Sequence, residues 1–112
     1  MHEMAIAQSL LDIVLQHAAR QPGRVTRVKL QVGQMTQVVP EALEFGFQAL
    51  AQGTAAEKAT LEIEIIPLSV HCEGCGQTAF LEKYRFLCPK CQSPQVKLLT
   101  GRELAVEYLE VE

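Results

Sequence analysis

Cys72-Glu73-Gly74-Cys75 and, twelve residues further on, Cys88-Pro89-Lys90-Cys91 hold all four cysteines of this 112-residue chain. Each Cys-x-x-Cys turn aims two sulfurs at one point, and the loop between them brings the chain back to it. This is the spacing of a tetrahedral Zn(Cys)₄ site. Two disulfides are the first alternative, but the opening residues lack the basic segment, apolar run and small-residue cleavage site of a secretory leader, so a reducing cytoplasm is expected. A redox dithiol needs only one pair, usually at the start of a helix. Here Gly74, Gly76 and Pro89 mark turns instead. Redox dithiols and iron stay open as minority readings beside structural zinc. Four thiolates fill a zinc shell, so the quartet reads as architecture and not as a centre of catalysis.

The segments around the quartet place it in a fold. Before it, Thr60 to Ile66 alternates, with Leu61, Ile63 and Ile65 inward and Glu62 and Glu64 outward, and Pro67 closes the strand. After it, Gly101 reopens the pattern: Leu104, Val106 and Tyr108 alternate with Ala105, Glu107 and Leu109 as another strand. Arg24 to Gly33 is a third strand, with Thr26, Val28, Leu30 and Val32 on one side and Arg27, Lys29 and Gln31 on the other. A helix of about 16 residues precedes it, burying Ala7, Leu10, Leu11, Val14 and Ala18 at helical spacing and stopping at Pro22-Gly23. A second helix opens at Pro40, with Leu43, Phe47 and Leu50 supported by Ala42 and Ala49 as its apolar stripe and Gly53 as its cap.

The expected class is therefore α+β: a small three-stranded mixed sheet with two helices, plus an inserted zinc-ribbon-like domain. The boundaries are 1–67 and 100–112 for the α/β domain and 68–99 for the zinc-binding insertion. Strand, helix, strand at this spacing implies a crossover with the first two strands parallel. The insertion is too short to bury a core of its own, so Phe80, Leu81, Tyr84, Phe86 and Leu87 are expected to pack only once a metal draws the loops together.

Composition narrows the function classes. The core is aliphatic, because hydrophobic residues make up 48% of the chain but aromatics only 5%, with no Trp. A net charge of -3 and pI near 5.6 argue against a general nucleic-acid binder. No apolar run approaches the roughly 20 residues that cross a bilayer. From Leu68 to Leu99, Lys83, Arg85, Lys90 and Lys97 outnumber Glu73 and Glu82, so the insertion carries +2 against the -2 of a zinc tetrathiolate, and the rest of the chain holds -5. Glu41, Glu44, Glu62 and Glu64 lie at helix or strand spacing and read as solvated faces.

Met1-His2-Glu3 is the other stretch with metal chemistry in it. An α-amine, the amide nitrogen of His2 or Glu3 and the His2 imidazole form one chelate, a planar nitrogen set that suits nickel(II) or copper(II). Glu3 can add an oxygen or fix the imidazole. The plain alternative is a solvated histidine near a chain end. His17 falls on the solvent side of the first helix, and His71, next to Cys72, is at most a group that supports a thiolate.

Met1-His2-Glu3 opening into a helix, Val32-Gly33 closing a strand, Val39-Pro40-Glu41-Ala42-Leu43 with Phe45 and Phe47, and the cysteine quartet together resemble the HypA/HybF family of hydrogenase maturation factors. The likeness runs from the first residue to Leu109-Glu110-Val111. It implies a nickel metallochaperone, not an enzyme, that delivers Ni(II) to the large subunit of nickel-iron hydrogenase together with the nickel-binding GTPase HypB. It implies nickel on His2 with backbone groups of Met1 and Glu3, and structural zinc on Cys72, Cys75, Cys88 and Cys91. The protein is then cytoplasmic, a monomer or homodimer, with neither nucleic acid nor membrane as partner. Gln34 and Gln37 depart from the acidic or small residues of many members, which bears on partner contacts more than on metals. The alternative is a zinc-ribbon module that binds protein or nucleic acid without nickel transfer.

Overall fold

The computed structural model describes residues 2–82 and 85–112. Met1, Lys83 and Tyr84, to which the sequence assigned a nickel-binding backbone, a compensating charge and a packing side chain, lie outside the described residues. Helix α1 spans Glu3–Ala18 and buries the five expected residues, Ala7, Leu10, Leu11, Val14 and Ala18. Strand β1, Val25–Gly33, is followed by a 3-10 turn at Gln34–Thr36 and by helix α2, Pro40–Ala51. Then come β2 at Thr60–Ile66, β3 at Ser69–Cys72, β4 at Thr78–Phe80, β5 at Val96–Thr100 and β6 at Leu104–Val111.

Two three-stranded sheets result, in the orders β2-β1-β6 and β4-β3-β5. The first is the expected mixed sheet: β1 runs parallel to β2, from Arg27 opposite Thr60 to Gly33 opposite Ile66, and antiparallel to β6. Both helices cover one of its faces, and Val14, Val28, Leu30, Val32, Leu43 and Phe47 form the core. The other face carries Arg27 and Lys29 of β1 among Glu62, Glu64 and Glu110, at 3.5–3.9 Å. These pairs are largely solvated and contribute little stability.

Several inward-facing assignments change for local reasons. Strand β6 breaks its alternation because the register slips between Lys29 opposite Tyr108 and Leu30 opposite Val106, leaving Glu107 as an extra residue. The bulge turns Tyr108 outward and Leu109 inward, the reverse of a simple period of two. A second slip, between Val25 and Arg27, removes Thr26 from the inner face, and its hydroxyl donates to the carbonyl of Glu110 at 3.3 Å. Ile65 stands opposite Val32 yet is 45% exposed, because β2 is an edge strand whose end the helices leave uncovered. On α2, Ala49 is exposed, Ala42 and Leu50 are half-buried, and Gly46 and Ala51 complete the buried face.

The antiparallel β4-β3-β5 sheet is built from the stretch read as a coreless insertion, 68–99, and runs one residue past it, to Thr100. It does have a small apolar cluster, with Leu68, Val70 and Leu81 buried and Val96 and Leu98 against them. Of the side chains expected to pack here, Leu81 is buried and Leu87 is half-buried, whereas Phe80 is 68% and Phe86 38% exposed. Phe80 misses because β4 is only three residues long, and its alternation turns Ala79 inward and Phe80 out.

The two sheets meet where main chain touches main chain. The Gly33 N–H donates to Glu103 O at 2.6 Å, Met35 N–H donates to Gly101 O at 2.8 Å, and the Gln34 side-chain carbonyl accepts the Leu68 N–H at 3.1 Å. A Cβ on Gly33 would run into the Gly101 carbonyl. Gly101 itself has φ +120, a conformation that favours glycine, and sits against Leu68. A second close approach joins the helices: a Cβ on Gly46 would lie 2.7 Å from Met4 Sδ and 3.5 Å from Ala7 Cβ. The start of α1 is tied to the start of α2 by the Glu3 carboxylate, which accepts the Val39 N–H at 3.2 Å. That bond, followed by Glu3's own N–H, holds the carboxyl below its ordinary value of 4.5.

Two outcomes follow from these contacts. Gly33→Ala should cost about 1–3 kcal/mol in denaturant unfolding because backbone must move, whereas Gly46→Ala, where only the flexible Met4 tip must yield and helix propensity improves, should be near neutral. A carboxyl whose folded pKa is lowered stabilises above its unfolded value and loses that contribution as pH falls through the folded one. The Val39 amide resonance should therefore titrate with a midpoint below 4.5, and that titration should vanish in Glu3→Gln.

Candidate metal centre

The four cysteines are set by two turns with the same backbone pattern. In the first, at the end of β3, Cys72 N–H donates to Gln77 O and Gly76 N–H to Cys72 O, both at 2.8 Å. In the second, Cys88 N–H donates to Ser93 O at 2.9 Å and Gln92 N–H to Cys88 O at 2.8 Å. The residue after each second cysteine is left-handed, Gly76 at φ 76 and Gln92 at φ 64. The turns interlock at Gly74, where a Cβ would lie 3.1 Å from Ser93 and 3.5 Å from Cys72 Sγ. Gly74 thus serves close packing of one turn on the other. The sequence marks it only as a turn residue, and neither Ser93 nor the left-handed Gln92 has a sequence signal that would single it out.

The sulfurs all lie within 4.8 Å of one another. The short distances run between the turns: Cys72 to Cys91 is 3.5 Å and Cys75 to Cys88 is 3.8 Å. A metal at the centre of a sulfur tetrahedron with bonds of about 2.3 Å would set these edges at about 3.8 Å. The thiols are free, and a disulfide would need about 2.05 Å. Cys72 and Cys88 are buried while Cys75 and Cys91 reach the surface.

Electrostatics give the cluster its need for a cation. The backbone N–H groups of Cys91 and Lys90 hold the Cys88 thiol down to about 7. Cys91 goes the other way, up to about 12: the Ser93 N–H pulls it down, but the thiol of Cys72, burial, and the thiols of Cys88 and Cys75 together outweigh that pull. Sulfurs this close cannot all carry charge unless a cation stands among them. Four soft donors in a compact tetrahedral group fit a divalent zinc-like ion. Of the bases counted in the sequence, Lys90 hydrogen-bonds Gln77 at 2.5 Å and Lys97 pairs with Glu73 at 3.8 Å, so both stand at the rim of the turns.

The histidines lie elsewhere. Among the described residues, the one cluster of three or more His, Cys, Asp or Glu side chains close enough to share a metal is the four cysteines. Strand alternation sends His71 to the face opposite Cys72, between Thr78 and Lys97. His17 is exposed near the end of α1. His2 precedes α1 with φ -87 and ψ 84; its carbonyl accepts the Ile6 N–H at 3.1 Å, its ring caps nothing in the helix, and it is exposed. Beside it, Glu3 is committed to Val39. The chain thus offers one closed sulfur cluster and, separately, an exposed imidazole next to a fixed carboxylate.

Comparison with known proteins gives a consistent result. A family model described as a hydrogenase/urease nickel incorporation metallochaperone, HypA, matches residues 1–111. The hydrogenase maturation factor HypA of Acidithiobacillus ferrooxidans is 40% identical over 114 residues and covers the whole of both chains. The corresponding factor of a Roseiflexus species is 43% identical, covering all of this chain and 93% of its own. The solution structure of the Ni metallochaperone HypA from Helicobacter pylori superposes with a TM-score of 0.69 at 22% identity, over 99% of this chain and 97% of that one. That identity speaks for the fold alone, while the family match and the full-length relatives speak for descent. With the four-cysteine metal group, the two helices and the paired small sheets in place, the chain belongs to the HypA family of nickel metallochaperones for hydrogenase maturation.

Proposed function

We infer that this protein binds one Ni(II) at its first residues and hands it on during maturation of nickel-iron hydrogenase, while the cysteine quartet holds a structural zinc. The observation that carries the reading is the contrast between the two sites. The quartet is a closed tetrahedral sulfur set, and His2 is an exposed imidazole at the start of the chain. A delivered ion must leave by ligand exchange, which suits few side-chain ligands at an open chain end. The Met1 amine, an amide nitrogen of His2 or Glu3 and the His2 imidazole supply a planar nitrogen set of the kind Ni(II) accepts. Glu3, held to Val39, ties the first turn of α1 beside His2 to the start of α2. The affinity expected of so small a set is roughly micromolar, about -8 kcal/mol.

The partners that fit this reading are the nickel-binding GTPase HypB and the hydrogenase large subunit, met in the cytoplasm. The function is binding and delivery, since four thiolates leave zinc no open position for a substrate. The chain divides into a nickel-binding domain, 1–67 and 100–112, and a zinc-binding insertion, 68–99. The separate apolar clusters on the two sheets support that division.

Nickel titration tests the terminal site. The native chain should bind one equivalent, and both His2→Ala and a form with residues added before Met1 should lose it; equal binding by all three would refute the chelate. For the zinc site, Cys75→Ser should release the metal and collapse the amide dispersion of 68–99 while α1, α2 and the β2-β1-β6 sheet persist. Loss of all secondary structure would refute the two-domain division.

A further inference from the structure

The four cysteines are not equally open to a reagent arriving from water. Each turn contributes one of each kind: Cys72 and Cys88 are buried, Cys75 and Cys91 exposed. Each short sulfur distance joins an exposed cysteine of one turn to the buried cysteine of the other, Cys91 to Cys72 at 3.5 Å and Cys75 to Cys88 at 3.8 Å. Within the first turn the contact is of another kind, because the Cys75 N–H donates to Cys72 Sγ at 3.4 Å and keeps that sulfur over the amide. A disulfide needs about 2.05 Å between its sulfurs, so each cross-turn pair has less than about 2 Å to close. Gly74 against Ser93 already holds the two turns in register for that movement.

A thiolate reached by a peroxide becomes a sulfenic acid, and a neighbouring thiolate converts that to a disulfide. In each cross-turn pair the exposed cysteine is the one attacked and the buried one resolves it. At Cys91, the thiolate sulfur takes one oxygen of hydrogen peroxide as the O–O bond breaks, giving the sulfenic acid and hydroxide. The Cys72 sulfur then attacks the Cys91 sulfur, the S–O bond breaks, and a second hydroxide leaves as the disulfide forms. Cys75 and Cys88 react in the same way. Two peroxides thus take four electrons from four thiolates and leave two disulfides and four hydroxides. A disulfide sulfur has lost the thiolate charge that binds metal, so the quartet gives up its ion as zinc(II), neither oxidised nor reduced. The two bonds are nested, 75 with 88 inside 72 with 91, and both span the turns. The oxidised chain therefore keeps its turns joined without the ion, whereas a bond within each Cys-x-x-Cys would leave them apart.

We propose that Cys75 and Cys91 are oxidation sites for hydrogen peroxide, and that their oxidation exchanges the zinc of the quartet for two cross-turn disulfides, Cys72–Cys91 and Cys75–Cys88. The proposal rests on the zinc reading above, which metal analysis of the purified chain tests by itself before any oxidant is added; the disulfide map tests the pairing whichever ion is found. The zinc-loaded full chain is treated with hydrogen peroxide beside a chromogenic zinc chelator, and one zinc should appear for every two peroxides consumed. Proteolysis after Glu73, Arg85 and Lys90 places the four cysteines on separate peptides. Mass spectrometry without reduction should then find 72 linked to 91 and 75 linked to 88. Dimedone, a sulfenic-acid trap, present during oxidation should label Cys75 and Cys91. The amide dispersion of the β4-β3-β5 sheet should survive loss of zinc, and a dithiol reductant with fresh zinc should restore the starting spectrum. The proposal is overturned by zinc that stays bound under peroxide, by disulfides within either turn, between chains or in any other pairing, by dimedone on Cys72 and Cys88 instead, or by collapse of the dispersion on oxidation.

Discussion

Four thiols within 4.8 Å of one another can be fully ionised only around a cation. The β4-β3-β5 half depends on that constraint more than on its apolar cluster. Three fully buried or nearly buried residues, Leu68, Val70 and Leu81, are a small core for some thirty residues. The two turns meet through Gly74 and Ser93 and through sulfur pairs drawn from opposite turns, Cys72 with Cys91 and Cys75 with Cys88. A metal at this point supplements that small core by joining the two turns, whose cysteines lie 13 and 19 residues apart. In structural zinc sites that binding energy is folding energy. Four thiolates also complete a tetrahedral shell and leave no open position for a further ligand.

The other half stands on ordinary packing. Strand β1 is central, with β2 parallel on one side and β6 antiparallel on the other, and the helices bury its inner face. It also reaches toward the second sheet: where it ends, Gly33 lies against Gly101, and the following Gln34 and Met35 bind Leu68 and Gly101 through hydrogen bonds. The same loop leads on to Val39, whose N–H is held by Glu3 one residue from His2. Main chain and side chain thus connect the strand that organises the core, the entrance to the cysteine-bearing sheet and His2.

Much of this was legible in the residues, and what was not has physical reasons. The buried face of helix α1 could be read to the residue because five apolar side chains at helical spacing leave no competing pattern, although the helix ends at Ala18, ahead of Pro22. The quartet could be read as a metal group because its spacing is a geometric statement about sulfurs. Strand β6 was misread around Tyr108 and Leu109, since a bulge at Glu107 inverts the alternation without altering composition. The second sheet was missed because strands of three to five residues carry too few alternations to be seen, and here turns and tertiary pairing fix them. The contact of Gly33 with Gly101 joins residues far apart in sequence through main chain, which no side-chain pattern announces.

The function proposed above puts a structural metal on sulfur and a transported one on nitrogen. X-ray absorption at the zinc and nickel edges of one sample carrying both ions tests that division most directly. Zinc should show four sulfur neighbours at about 2.3 Å, and nickel should show nitrogen and oxygen neighbours only. Sulfur in the nickel shell, or nickel replacing zinc in the quartet, would contradict it.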